Sequence, residues 1–350
     1  MLLEKLSNAI GVSGDEGAVR DIILEAIRDH VTDIHIDAMG NLTALKKGTG
    51  ESNLRVMIAA HMDEIGVMIT GYDSSGALRF SRVGGVPARI MPGLRLKVKS
   101  GDDHISGVVL WTPIHLNRNQ SVKSNDDLRI DIGVSSKSAA ESKAKLGTRA
   151  TFDSIYAEIN DDMVRGKAFD DRVGCSLLVD IVQSGDYPVD ILVAFTVQEE
   201  IGLRGAQVAA QRLQPDVAIV LEGTTAHDIP DPEANPDDPT VANPACKVGS
   251  GPVLTVMDRS MITPPHLLNF IRKTAEDNDI PYQLKTALGG GTDAGRIHMS
   301  NTGVPSAVIS MPCRYIHSPT ALLSKTDYAN DLALVKAVLN NITPDVIELS

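Results

Sequence analysis

Apolar and polar positions recur with two different periods along this chain, and the changes of period mark its regions. Leu2, Leu3, Leu6 and Ile10 fall at helical spacing, and Val19, Ile22, Ile23, Ala26 and Ile27 form the stripe of a second helix. Ser13-Gly-Asp-Glu16, just ahead of that stripe, has the spacing of a capping box. Strands are predicted at Asp33 to Asp37 and Leu42 to Leu45, with a turn at Met39-Gly-Asn, and Leu54 to Ala60 is a continuous apolar strand. From Val67 to Arg165 the pattern shortens. Alternating stretches at 67–70, 78–83, 94–98, 105–110 and 128–132 are separated by Gly, Asp and Ser turns, and only Ser136 to Lys145 reads as a helix. Short strands at that spacing predict a small β-barrel or sandwich.

Beyond Arg165 strand and helix alternate again. A helix with Val173, Leu177, Leu178 and Ile181 on one face follows Gly166-Lys-Ala-Phe-Asp-Asp-Arg-Val-Gly174. Ile191 to Val197 has the length and β-branched content of a strand buried on both faces. Gly202 and Gly205 then turn the chain into a helix near Leu203 to Leu213, and Asp216 to Glu222 is another buried strand. Residues 228–244 hold five prolines and several acids and are expected to be loop. Later come a strand at Pro252 to Met257, a helix at Pro265 to Asn278 and a strand at Tyr282 to Ala287. A glycine-rich turn entering a helix, a strand at Val304 to Ser310 and a helix at Asp327 to Leu339 complete the chain. The predicted fold is α/β. Residues 1–66 and 166–350 are expected to form one discontinuous, doubly wound domain with a central mixed sheet, and 67–165 an inserted β-barrel-like domain.

Composition narrows the function without naming it. A net charge of −12 and an aromatic share of 3% speak against a nucleic-acid partner. No apolar run approaches a membrane span, and the N-terminus lacks the basic and apolar regions of a signal peptide, so a cytoplasmic protein is expected. Cys175, Cys246 and Cys313 are odd in number and far apart, as reduced thiols would be.

The chemistry gathers at strand ends. One apolar strand runs into His61 and Asp63, a second into the adjacent pair Glu199 and Glu200, and a third into Glu222; Asp170 and His317 sit at loop or helix starts. Ligands of open α/β sheets bind outside such carboxyl ends. Adjacent carboxylates repel, so they need a cation or a shared proton. Imidazole and carboxylate without thiolate suit zinc, cobalt or manganese, and five ligands suit two ions roughly 3.5–4 Å apart. Each residue alone also has a plainer use: a hydrogen-bonded histidine, a solvated acid pair, or Asp170 and Asp171 capping the following helix. Gly289-Gly-Gly-Thr-Asp-Ala-Gly295 lacks the Lys-Ser/Thr of a phosphate loop, which favours a close backbone approach, with Asp293 as helix cap or substrate contact. Arg204 and Arg314 suit surface salt bridges, or substrate or oligomer contacts.

Taken in order, His61-Met-Asp-Glu-Ile-Gly, Ala168-Phe-Asp-Asp-Arg-Val-Gly, Gln198-Glu-Glu-Ile-Gly-Leu-Arg-Gly-Ala, Leu221-Glu-Gly-Thr, Gly290-Gly-Thr-Asp-Ala-Gly and Tyr315-Ile-His-Ser-Pro resemble the successive motifs of the glutamyl-aminopeptidase or tetrahedral-aminopeptidase metallopeptidases, some of them labelled cellulase M. The resemblance implies a dimetal aminopeptidase that removes N-terminal residues from peptides, with a metal-bridged water as nucleophile and Glu199 as general base. It implies two divalent ions, Zn2+ or Co2+: Asp170 bridging, His61 and Glu222 on one, Glu200 and His317 on the other, and Asp63 orienting His61. Many relatives carry Asp where this chain has Glu222. It further implies that the inserted domain mediates dimerisation and that dimers build a tetrahedral dodecamer, a homo-oligomer. The competing enzyme reading is a dimetal deacylase of N-acyl amino acids. A glycosidase is disfavoured by the two histidines and scarce aromatics, and a non-catalytic particle by the complete set of candidate ligands and base.

Overall fold

Buried β-branched runs and amphipathic stripes account for most elements of the computed structural model, which describes residues 2–50, 52–101, 103–113, 115–116, 128–229, 246–285 and 289–347. Helices α1 (Leu2–Asn8) and α2 (Gly17–Ile27) precede β1 (Thr32–Ile36), β2 (Leu42–Lys46) and β3 (Arg55–His61). A closed barrel follows, made of β4 (Gly66–Tyr72), β5 (Leu78–Val83), β6 (Arg95–Ser100), β7 (Asp103–Val109), β8 (Ile130–Asp131) and β9 (Arg149–Phe152), with α3 (Lys137–Lys143) before β9. Strands β10 (Ala157–Glu158) and β11 (Met163–Gly166) lead into α4 (Phe169–Gln183). Then come β12 (Asp190–Thr196), α5 (Arg204–Leu213), β13 (Val217–Thr225), β14 (Val253–Thr255) and α6 (Pro265–Asp277). The last elements are β15 (Gln283–Lys285), α7 (Ala294–Ile297), β16 (Ser306–Cys313), β17 (Ala321–Ser324) and α8 (Lys325–Asn341).

The central sheet has eight strands in the order β1-β2-β12-β3-β13-β16-β14-β15. Its middle four, β12, β3, β13 and β16, are parallel, while β2 and β14 flank them antiparallel. The sheet is therefore mixed, and β3 lies between two strands that follow it in sequence. Both faces are covered. Val56, Ile58 and Ala60 of β3 pack with α1, α2, α4, α6 and α8, whereas Met57 and Ala59 pack with α5 and α7. The period-two split explains why these strands read as unbroken apolar runs. The barrel has a separate core around Ile69, Leu78, Leu96, Val98 and Ile130. The expected α/β fold with a mixed sheet and a barrel is borne out.

Several local expectations need correction. Glu16 occupies the N-cap of α2 without a side-chain cap bond, and Ser13 turns its hydroxyl to Asp63 instead. The capping-box spacing is present, but α2 begins at Gly17 with Glu16 at its N-cap, so Ser13 lies outside the first turn and its hydroxyl donates to Asp63. Strands β9, β10, β11 and β17 are absent from the sequence reading. At two to four residues they show too little alternation to be distinguished from loop. Most of the proline-rich stretch, 230–245, and residues 286–288 lie outside the described residues.

Two buried ionic features interrupt the apolar packing. Glu64 accepts both contacts of Lys167 Nζ at 2.8 Å, Arg172 at 3.3 Å, Thr151 Oγ1 at 2.7 Å and the Gly11 amide at 3.0 Å, all in the interior. In α8, Asp331 sits among Leu334, Val335 and Val338, fully enclosed, with neither carboxylate oxygen paired among the described residues. Burial first, then Asp327 one turn earlier, pushes its carboxyl up from 3.8 to about 8. A raised carboxyl is most favourable below its unfolded value, and stability falls as pH climbs from about 4 towards 8. Asp331→Asn should remove that decline, so its advantage over wild type in urea denaturation should grow across this range by more than about 1.4 kcal/mol. A pH-independent difference would show that Asp331 is not held protonated.

Candidate active site

Five chain segments deliver their functional side chains to the carboxyl ends of the parallel strands. His61 is the last residue of β3, level with Thr196 at the end of β12. Beyond Thr196, Gln198 takes a left-handed conformation (φ +57°), and the chain turns so that Glu199 and Glu200 lie over the sheet edge. Asp63 brackets the two segments: its Oδ1 accepts the Glu199 amide at 2.9 Å, and its Oδ2 accepts the Glu200 amide at 3.2 Å and the Ser13 hydroxyl at 2.6 Å. Glu222 lies in β13, and Gly223 beside it is required by close approach, since a Cβ there would meet the Asp170 Cα at 2.9 Å.

Asp170 and Asp171 have non-helical backbone at the start of α4, and the peptide between them is cis. Their side chains part. Asp171 accepts the Gly174 amide at 2.9 Å and the His61 amide at 3.1 Å, so the capping alternative holds for Asp171. Asp170 instead faces both histidines: His61 Nε2 lies 3.1 Å from its Oδ1, and His317 Nε2 lies 3.3 Å from its Oδ2. Glu222 Oε1 is 3.3 Å and Glu199 Oε2 4.0 Å from His61 Nε2, while Glu200 Oε1 is 3.6 Å from His317 Nε2. All seven residues singled out in the sequence thus meet at one place.

The ring orientations are set from behind. His61 Nδ1 faces the Asp63 carbonyl at 3.0 Å and the Asp63 carboxylate at 3.4 Å. His317 Nδ1 faces the carbonyl of Gly85, in the loop after β5, at 3.2 Å. A Cβ on Gly85 would come within 2.7 Å of that imidazole. The Gly85 carbonyl escaped the sequence reading, because a backbone acceptor carries no side-chain signal; only the Gly84-Gly85 pair hinted at a close approach.

Charge is crowded here. Burial, then neighbouring acids, pushes the Glu199 carboxyl well above the ordinary range; burial and Asp170 push Glu200 to about 8, and burial pushes Glu222 to about 8. Burial alone would lower the His61 imidazole, but Glu222, Asp170 and Asp63 around it raise it well above its usual value. Hydrogen bonds to Asp170, opposed by burial, raise His317 to about 9. Asp170 is the exception: burial opposes ionisation, yet the two histidines hold it far below the usual carboxylate range. Two clusters have ligand atoms mutually within 4.8 Å, His61 with Glu199 and Glu222, and Asp170 with Glu200 and His317. Glu222 Oε2 is buried and has no partner among the described residues. An orphaned carboxylate oxygen among hard oxygen and imidazole donors fits divalent cations.

A sequence profile describing the M42 glutamyl aminopeptidases matches residues 40–334. The chain belongs to the M42 glutamyl aminopeptidase family. The lysyl aminopeptidase of Pyrococcus furiosus is 32% identical over 98% of this chain and 97% of its own. A TET aminopeptidase from the marine sediment archaeon Thaumarchaeota archaeon SCGC AB-539-E09 superposes with a TM-score of 0.91 at 35% identity, covering 99% and 97% of the two chains. The Pyrococcus horikoshii TET1 peptidase, described as assembling into a tetrahedron or a large octahedral shell, gives 0.84 at 32% identity over 98% and 100%. The M42 chain is thus an aminopeptidase-family hydrolase, and no helix among its described residues is long and apolar enough to cross a membrane.

Other singled-out residues fall outside the cluster or beside it. Asp293 makes no cap bond to α7; it accepts the Thr196 hydroxyl, and its other oxygen is buried with no partner among the described residues. Arg314 pairs with Asp228 at 2.7 Å, and Arg204 donates to Gln198 at 3.4 Å. Ser13→Ala would leave the buried Asp63 oxygen one donor short and should cost about 1–3 kcal/mol in chemical denaturation. A change below about 0.3 kcal/mol would mean the bond is replaced without loss.

Proposed function

We propose that this M42 protein is a two-metal aminopeptidase in which Glu199 is the general base. The observation that carries the reading is Asp170, which presents one oxygen towards His61 and the other towards His317. His61 and Glu222 would hold one ion, Glu200 and His317 the other, with Asp170 shared; zinc and cobalt both suit the donors. When bound, the ions would supply Lewis-acid activation of the attacking water and of the scissile carbonyl.

The protein's own groups do the rest. Glu199 belongs to the first cluster but stands farthest from His61 Nε2, at 4.0 Å against 3.1 Å for Asp170 and 3.3 Å for Glu222, where it is placed to act on a water. Burial gives its carboxyl a high proton affinity. It therefore takes the proton from the attacking water and returns it to the leaving amine, which balances the hydrolysis. Asp63 keeps that base in place through the Glu199 amide and steadies His61 from behind. Gly85 does the same for His317.

The family name and the lysyl relative point to different N-terminal residues, so membership leaves the preferred one open. We also assign residues 1–66 and 166–350 to the catalytic domain and 67–165 to a dimerisation domain. Exposed Leu110 and Trp111 beyond β7 support that assignment, as does the shell-forming TET1 relative, and a tetrahedral dodecamer in the cytoplasm is the state we infer.

Glu199→Gln should retain both ions by elemental analysis yet lose at least about 100-fold in kcat on free-amine aminoacyl anilides. Chelation should abolish wild-type turnover, and added Zn2+ or Co2+ should restore it. Wild-type-like activity in Glu199→Gln would remove the base assignment. Cleavage of N-acetylated substrates alone would move the protein to the deacylases.

A further inference from the structure

We propose that Glu16 is a positioning residue for the base Glu199, fixing the turn that aims it; the assignment rests on the two-metal aminopeptidase reading. Beyond β12, four successive backbone amides are taken by side chains of other segments. Val197 donates to Asn41 Oδ1 at 3.0 Å, Gln198 to Glu16 Oε1 at 3.3 Å, and Glu199 and Glu200 to Asp63 at 2.9 and 3.2 Å. Gln198 sits within this run at φ +57°. A left-handed residue other than glycine stays so only where its surroundings hold it. The two rotations at Gln198 relate two planar peptides, one carrying its own amide and the next carrying the Glu199 amide. Asp63 pins the second plane, and Glu16 pins the first. Together they fix both rotations, and with them the direction in which Glu199 leaves the turn. Without Glu16 the first plane would be free to swing while Asp63 still held the second.

Glu16 is itself held firmly. It is only 4% exposed and lies at the N-cap of α2, where its carbonyl accepts the Val19 and Arg20 amides at 3.1 and 3.0 Å. Its Oε1 also accepts the Gly14 amide at 2.6 Å, which keeps the side chain from turning away. Upstream, the Glu64 amide donates to the Gly11 carbonyl at 2.9 Å, and the Ser13 amide donates to the Glu64 carbonyl at 3.3 Å. These bonds lay the segment along the chain that carries His61 and Asp63. Capping of α2 does not use the carboxylate, since Glu16 makes no side-chain cap bond. Its distant partner is the Gln198 amide, 182 residues further along the chain and one residue before the base.

The test measures kcat and KM on the best cleaved of the Leu, Glu and Lys p-nitroanilides, with metal-loaded full chain and metal content matched by elemental analysis. Glu16→Met removes the acceptor, and Glu16→Asp withdraws it by one methylene. Each should lower kcat by about tenfold to 100-fold, the scale of a misplaced catalytic group, with KM within about threefold. Glu16→Gln keeps an oxygen at the same reach and should hold kcat within about threefold of wild type. The same substitutions are then made in Glu199→Gln. With the base gone there is nothing left to aim, so Glu16→Met and Glu16→Asp should change the residual kcat by less than about twofold. An equal loss in both backgrounds, or wild-type kcat in Glu16→Asp, would overturn the assignment. Hydrogen–deuterium exchange of peptides spanning residues 197–203 gives a readout without turnover: exchange should quicken in Glu16→Met and Glu16→Asp but not in Glu16→Gln. If wild type cleaves no anilide, the aminopeptidase reading fails, and exchange still decides whether Glu16 holds the turn. Unchanged exchange overturns Glu16 in either case.

Discussion

Three fully buried charges, Glu64, Lys167 and Arg172, meet where the N-terminal segment, the end of β3, the barrel and the start of α4 come together. Arg172 also donates to the carbonyls of Leu6, Ala9, Gly11 and Met62, and Lys167 to that of Ala9. Such a triad is weak evidence for stability, because desolvation offsets much of the attraction; removing one partner, however, strands a charge at about 3–5 kcal/mol. Its effect is registry. Glu64 follows His61 by three residues, and Lys167 precedes Asp170 by three. Pairing them ties the two segments that carry His61 and Asp170, whose side chains approach to 3.1 Å.

The second constraint is the charge of the site itself. Glu199, Glu200, Glu222 and Asp170 converge where water is largely excluded, and burial drives three of them towards the neutral form. Only Asp170 escapes, because each of its oxygens has an imidazole to face. Cations would let the others ionise as well, without moving any strand. The backbone is already arranged for this. Asp63 ties the Glu199–Glu200 turn to the His61 strand, and Gly223 lets the backbone at Asp170 lie against β13. The site is built from strand ends that the hydrophobic core holds rigidly, which is the arrangement that preorganised catalysis requires.

What was legible in the sequence follows from this division of labour. The parallel strands are apolar on both faces and end abruptly in acid or imidazole, so both the fold and the seven clustered residues stand out at the level of residue type. The supports do not. Ser13 and Glu16 have the spacing of a capping box, yet Ser13 donates its hydroxyl to Asp63, and Glu16 Oε1 accepts the nearby Gly14 amide at 2.6 Å as well as the distant Gln198 amide at 3.3 Å. Glu64, Lys167 and Arg172 look like ordinary surface charges until folding buries them. A charged residue inside an otherwise apolar motif is the one hint that such a cluster leaves. Asp331 is similar: its place on the stripe of α8 is visible in the sequence, but its lack of a partner is a property of the packed interior alone.

The barrel reaches the site at two separate points. Thr151 of β9 donates to Glu64, and so takes part in the triad that sets His61 against Asp170. Gly85, after β5, supplies the carbonyl that faces His317 Nδ1, and Gly84 packs against Glu200, where an added Cβ would come within 3.3 Å of its side chain. One contact governs the separation of the ligand candidates and the other the aim of an imidazole. A barrel that merely carried an interaction surface would need neither. Because its own core is distinct from that of the sheet, it behaves as one packed body, and any displacement of it would act on both contacts together. Whatever holds the barrel in place therefore also helps to hold the geometry of the site.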